Sequence, residues 1–382
     1  MQTLAILGGG FAGVWAAMSA AARREALGAQ NVAISLVSRD PWLTIRPRLY
    51  EGATEEMRVP LAPLMKEIGV RLSVAEAREI DVAQGRIGLA NEERLAFDRL
   101  VLATGSQLLP PKIPGADRHS YSVDTFAEAT RLDMHLAELR GDATLVVIGA
   151  SFTGLEVATE LRGRMGETAR IVLIDRARLA DAAMGAGLQP YIAEALAACR
   201  VETRFGAGVS EIKADGVVLN DGERIGTRTA ILATGLKANP LVHQVPGDRD
   251  EHDRLMVDAD LKVTGLSNIF AAGDTAHAVA DGSHATYMSC QHAIQLGRFA
   301  GHNALCDLLG LPTLRYRQER YVTCLDLGPW GAVFSSGWDR QVAKIREDAK
   351  SMKRRINREW IYPPRPEIGK AAIFARMASD TP

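Results

Sequence analysis

Leu4-Ala5-Ile6-Leu7 is a short apolar run that stops at Gly8-Gly9-Gly10-Phe11-Ala12-Gly13 and continues into an alanine-rich segment reaching Leu27. The order predicts a buried strand, a tight turn and a helix start. In such a turn Gly8 permits the bend, Gly10 lets a pyrophosphate approach the backbone, and Gly13 lets helix and strand pack closely. The helix N-terminus then directs unpaired N–H groups and a partial positive charge at the anion. Glycine-rich turns also arise for purely structural reasons, so the meaning of this one depends on the rest of the chain.

The pattern recurs. Leu145-Val146-Val147-Ile148 leads into Gly149, Ser151, Phe152, Thr153 and Gly154, again strand, turn and helix, with Ser151 standing where the middle glycine would be. The next strand, 170–174, ends in Asp175, about twenty residues beyond Gly154, the interval at which a carboxylate grips a ribose. After the first turn the matching strand, 32–37, ends instead in Ser38 and Arg39, a weaker ribose partner than a carboxylate. Each unit closes on an Ala-Thr-Gly strand end, Ala103-Thr104-Gly105 and Ala233-Thr234-Gly235. A further apolar strand delivers Gly273-Asp274. The Asp274 carboxylate suits the hydroxyls of an extended cofactor, and a helix cap is its structural alternative. This internal duplication predicts an α/β protein with two Rossmann-like dinucleotide-binding domains. Residues 1–117 and 240–312 would form one, 118–239 the other, and 313–382 a small α+β C-terminal region. Pro110-Pro111 and Lys237-Ala238-Asn239-Pro240 mark the crossings.

Composition narrows the function. A chain of 382 residues exceeds one ordinary core, and a net charge of −1 gives no reason to expect a nucleic-acid partner. Cys199, Cys290, Cys306 and Cys324 have neither metal-ligand spacing nor the spacing of a disulfide framework, so no metal is expected and the cytoplasm is the expected compartment. No apolar run approaches the ~20 residues of a spanning helix. The apolar N-terminus lacks the basic region of a signal peptide. The segment 343–360 predicts one helix with Ile345, Ala349, Met352, Ile356 and Trp360 on a stripe, surrounded by cations that include Lys350, Lys353 and Arg354. Such a helix either rests on anionic lipid or carries an ordinary solvated face.

These elements in this order resemble the pyridine nucleotide-disulfide oxidoreductases, and among them the type II NADH dehydrogenases, single-subunit NADH:quinone reductases with FAD. The resemblance implies that Gly8, Gly10, Phe11, Ala12, Gly13, Ser38, Arg39, Arg46, Pro47, Ala77, Thr104, Gly105, Gly273 and Asp274 hold FAD. It implies that Gly149, Ser151, Phe152, Thr153, Gly154, Asp175, Arg176 and Gly235 hold NADH, with Arg176 and Arg178 leaving NADPH open. Glu156 matches a family glutamate near the meeting point of nicotinamide and flavin. Gln291 and Gln295 match the paired glutamines of the quinone-site helix, and His292 between them is a candidate proton donor. The CxxxxC pair of the disulfide reductases has no counterpart in the sequence, so no thiol relay is expected. The implied reaction passes hydride from NADH through the flavin to a quinone-type acceptor. The alternatives are reduction of a ferredoxin- or rubredoxin-like carrier, or NADH sensing in the manner of apoptosis-inducing-factor-like flavoproteins. A homodimer and a peripheral contact with the inner face of the cell membrane complete the expectations, although the tail after Pro364 is short for a membrane anchor.

Overall fold

The computed structural model describes residues 1–109, 112–178 and 184–379. Gln2–Leu7 is the middle strand of a five-stranded parallel sheet in the order Ile269–Ala271, Arg99–Leu102, Gln2–Leu7, Val32–Ser38, Arg71–Val74. Its neighbours flank it in register, with Ile6 opposite Leu36 on one side and Val101 on the other. These strands are covered on both faces, which is why they read as continuous apolar runs rather than alternating ones. A second parallel sheet repeats the order as Ser120–Ser122, Thr229–Leu232, Thr144–Ile148, Arg170–Asp175, Val201–Phe205. Each sheet is accompanied by a three-stranded antiparallel meander, spanning 77–96 and 209–226. The duplication is therefore structural as well as sequential. Pro110-Pro111 lies outside the described residues; just before it, Ser106–Leu108 runs antiparallel to Leu236–Ala238 of the second crossing.

Small residues set how closely the main helices approach. Phe11–Ala26 and Cys290–Leu308 lie backbone to backbone. A Cβ on Gly297 would overlap the Ala12 carbonyl, and one on Gly301 would overlap that of Ala16. Gly273 packs on the Ala12 methyl in the same way. The first glycine turn and the Gly273-Asp274 strand end thus share one wall.

The C-terminal region differs from its sequence expectation. Val322–Asp326, Ala332–Ser336 and Gln341–Ile345 form an antiparallel sheet, and the helix begins only at Arg346, running to Arg355 before a π-turn at Ile356–Trp360. Arg346 takes φ +58°, which breaks any continuous helix from 343, and Ile345 pairs with Val333 as strand. The buried stripe is also not the apolar one. Ile345 and Trp360 are exposed, whereas Ala349, Lys353 and Asn357 face inward. Among the described residues no helix is long and apolar enough to cross a membrane.

Candidate functional site

The two glycine turns have nearly the same construction. Gly8 and Gly149 take φ of +121° and +104°, and a Cβ on either would overlap the carbonyl of Ala103 or Ala233. A Cβ on Gly13 or Gly154 would overlap the carbonyl oxygen of Gly8 or Gly149, so both helices press against their strands. The middle position differs. No protein atom lies within 4 Å of a Cβ built on Gly10, which leaves that face of the turn open. Gly10 caps its helix without a side-chain hydrogen bond, and the first turn of that helix has no acidic residue. Ser151 accepts from the Gly154 N–H at 3.4 Å and donates to the Ala233 carbonyl at 3.2 Å, giving the second helix a cap of its own.

Around the first turn, Phe11 starts the helix, with its ring 5.9 Å from that of Trp15, and Ala12 is buried. The buried Ser38 hydroxyl donates to the Asp40 carbonyl at 2.6 Å, while Arg39 is exposed beside Asp40. Pro47 sits in the 3₁₀ turn Arg46–Glu51. Arg46 donates to Ser106 Oγ at 2.9 Å and is paired with Asp124. Ser106 in turn donates to Asp274 at 2.6 Å, and Thr275 accepts from the Gly105 N–H at 3.1 Å. Burial pushes the Asp274 carboxyl up, against the pull of Ser106 and Arg46. The Thr104 hydroxyl is buried without a partner among the described residues. Arg48 in the Arg46–Glu51 turn is a buried structural tie to Glu51, Glu56 and the Tyr362 hydroxyl. Ala77 opens the first strand of the meander and pairs with Leu89.

At the second turn, Asp175 lies at the tip of its strand, held by the N–H groups of Ala150 and Ala177. Phe152 and Thr153 open the helix, and Arg340 of the C-terminal hairpin lies over the Phe152 ring at 5.3 Å. Arg176 flanks Gly208, and Gly235, with φ +105°, lies between the strand Thr229–Leu232 and the crossing strand Leu236–Ala238.

Glu156, on the helix that starts at the second turn, is buried against Lys353, whose Nζ lies 2.7 Å from Oε1. Lys353 also donates to the Cys324 carbonyl at 3.0 Å, and the Asp326 N–H donates to Glu156 at 3.2 Å. Burial pushes the Glu156 carboxyl up despite the ammonium beside it, and that carboxylate holds Lys353 charged above its ordinary range. The sequence placed Lys353 among solvated cations. The overlooked signal is a polar stripe Lys350, Lys353, Asn357 at helical spacing, a hydrophilic set that here faces inward.

On the Cys290–Leu308 helix, Gln291 exchanges two hydrogen bonds with the backbone of Val322, at 3.2 and 3.3 Å, acting as an extra rung of the C-terminal sheet. Gln295 is half-buried one turn on. His292 is fully buried, hydrogen-bonded to Gln318 at 3.0 Å and stacked on Tyr321 at 5.4 Å. Burial lowers its pKa to about 4, so the ring is neutral near neutral pH and holds no proton to give. Cys290 and Cys324 are free thiols pushed up by burial to about 11 and about 12, unsuited to thiolate chemistry near neutral pH. Among the described residues no His/Cys/Asp/Glu group could hold a metal ion.

The pyridine nucleotide-disulphide oxidoreductase family model matches residues 2–297. The NADH dehydrogenase-like protein Rv1812c of Mycobacterium tuberculosis is 41% identical over 380 residues, covering 95% of each chain. Demethylphylloquinone reductase NdbB of Synechocystis is 29% identical over 348 residues, covering 87% of this chain and 86% of its own. The solved sulfide:quinone oxidoreductase of Aquifex aeolicus superposes with a TM-score of 0.78 at 18% identity, covering 94% of this chain and 90% of its own, and so shares the fold. With both turns, both sheets and a family match across most of its length, the chain belongs to the pyridine nucleotide-disulphide oxidoreductases.

Proposed function

We propose that this protein is an FAD-dependent enzyme that takes hydride from NADH and passes two electrons to a quinone-type acceptor. The open face at Gly10, the uncapped helix behind it, the unpartnered Thr104 hydroxyl and buried Asp274 fit FAD at the first turn. Phe11, Ala12, Gly105, Arg46 and Pro47 complete that wall, with Ser38, Arg39 and Ala77 towards its adenosine end. Residues 1–117 and 240–312 would form this unit. Residues 118–239 would hold the nicotinamide nucleotide through Gly149–Gly154, Gly235, Asp175 and Arg176, with 313–382 closing over both. Bound FAD supplies the hydride and electron chemistry, and the protein supplies position and charge.

The overall balance is NADH + quinone + H⁺ → NAD⁺ + quinol, so one proton must come from water. The observation that carries the reading is the buried Glu156–Lys353 pair at the foot of the nucleotide-binding helix. It places a carboxyl whose pKa burial raises beside an ammonium, in a sequence that lacks the CxxxxC dithiol. Glu156 would take up and release the proton, Lys353 would compensate its charge when it is ionised, and Gln291 and Gln295 would orient the acceptor beside the helix start. His292, neutral and stacked, shapes the same wall. The relative named as a demethylphylloquinone reductase makes a naphthoquinone the first acceptor to try.

The purified yellow protein should bleach anaerobically with NADH and regain colour fastest with a naphthoquinone. No bleaching, or faster recovery with a ferredoxin-type protein, overturns the reading. Exposed Trp360, with Arg355 over its ring, and nearby Arg358 form a face suited to an anionic bilayer. Sedimentation with and without anionic vesicles tests that contact.

A further inference from the structure

The proton required above must reach a pair that is almost sealed. The side chains of Glu156 and Lys353 are only 11% and 10% exposed. A line of ionisable groups leads away from them. Asp326 donates its N–H to Glu156, and its carboxylate accepts from the Tyr50 hydroxyl at 2.9 Å and pairs with Lys350. Lys353, the ion-pair partner of Glu156, lies 5.5 Å from the centre of the Tyr50 ring, which brings Tyr50 beside the pair. The Asn357 amide donates to the same hydroxyl at 3.3 Å, fixing its place. Lys350 reaches the Gly328 carbonyl at 3.3 Å. There it forms part of a surface groove of about 460 Å³ together with Glu160, Trp330, Arg346 and Arg354.

Glu160 lies one turn after Glu156 on the same helix. It lines the same groove as Lys350, and the charges of Asp326 in the C-terminal sheet, Lys350 in the last basic helix, Arg164 in its own helix and Glu51 in the Arg46–Glu51 turn act on it. Burial and the Asp326 carboxylate push it up, more strongly than Lys350 and Arg164 pull it down. A carboxyl with a raised pKa, opening to solvent at one end and to an ion-paired chain at the other, has the character of a proton inlet.

We propose that Glu160, Lys350, Asp326 and Tyr50 form a proton relay from this groove to the Glu156–Lys353 pair. The inference rests on the proposed acceptor chemistry. In each turnover Glu160 gives one proton inward and regains one from water. Lys350, Asp326 and Tyr50 each gain one and lose one, and Glu156 replaces the proton taken by the acceptor. Only O–H and N–H bonds are exchanged, and every relay group returns to its starting charge.

The test uses the flavin-loaded protein, and its first readout is independent of turnover. The wild-type minus Glu160→Gln infrared difference titration should show a protonated carboxyl band persisting above the ordinary glutamate range, separate from the Glu156 and Asp274 carboxyls that both proteins share. Its midpoint should rise in Lys350→Met and fall in Asp326→Asn. The second readout is acceptor-driven reoxidation after anaerobic reduction. At about pH 8 Glu160→Gln should reoxidise about tenfold or more slowly, with a smaller defect at about pH 6 and recovery on adding a small acid such as imidazolium. Tyr50→Phe, which keeps the ring, should show the same defect without rescue from the groove. A Glu160 band indifferent to Lys350 and Asp326 overturns the relay, as does normal reoxidation of Glu160→Gln at about pH 8. If wild-type protein fails to reduce quinones at all, the functional reading falls instead, and the coupled titration still decides whether the four groups are connected.

Discussion

Replacing Lys353 by methionine keeps most of the volume of its stem and removes the charge that compensates Glu156. In the wild type the Lys353 ammonium lies 2.7 Å from Glu156 and 3.0 Å from the Cys324 carbonyl. Without it the carboxylate keeps one backbone N–H, from Asp326 at 3.2 Å, in a site where it is 11% exposed. Breaking a buried pair in this way costs about 3–5 kcal/mol when the remaining group stays charged. Glu156 can escape that cost by binding a proton, and the sign of the pH dependence follows. Its folded pKa already lies above its ordinary value and rises further in the variant. A group of this kind contributes its stability below the unfolded pKa and loses it as pH climbs towards the folded one. The deficit of Lys353→Met should therefore be small near about pH 5 and grow by up to about 1.4 kcal/mol per pH unit above it. Urea unfolding followed by tryptophan fluorescence at several pH values measures this directly. Adding Glu156→Gln should recover most of the loss at high pH, because a neutral amide needs no ammonium. A deficit below about 1 kcal/mol at every pH, or a double variant no better than the single one, would show that the pair is not the buried unit described here.

Gly10→Ala and Gly13→Ala should separate binding from folding. The first adds a methyl where no protein atom is near, so the urea midpoint of the flavin-free protein should hold while flavin content on purification falls. The second drives a methyl into the Gly8 carbonyl and should lower stability by about 1–3 kcal/mol, read from the same unfolding curves. Asp175→Ser should narrow the preference for NADH over NADPH at least tenfold in kcat/KM, since a 2′-phosphate no longer meets the carboxylate held beside the turn. An unchanged ratio refutes that role.

The duplicated architecture was legible because glycine and apolar patterning are local. Gly8, Gly13, Gly149 and Gly154 are required by overlaps with carbonyls five residues back or on the adjacent strand, and that requirement is written into the chain residue by residue. Glu156 was singled out by the family resemblance, but the residue that pairs with it was not legible. Lys353 comes from an element that reads as a solvated basic helix, and only the packing of the C-terminal sheet turns its polar stripe inward. The same lack of tertiary information cut across the expected 343–360 helix, where the pairing of Ile345 with Val333 overrode helical periodicity. His292 looked like an acid because histidine usually titrates near neutrality. Its burial against Gln318 and Tyr321, two residues far along the chain, removes that property.

The unequal capping of the two otherwise matched turns has a consequence for how long each ligand stays. Ser151 supplies its helix with a hydroxyl cap whether or not anything is bound, whereas Gly10 supplies none. A pyrophosphate at the first turn therefore completes the helix, and losing it leaves N–H groups without their anion. At the second turn, departure leaves the serine cap in place. With FAD at the first turn and NADH at the second, as proposed, the first site would suit a permanent resident that stabilises the fold it occupies, and the second a visitor that leaves after every exchange.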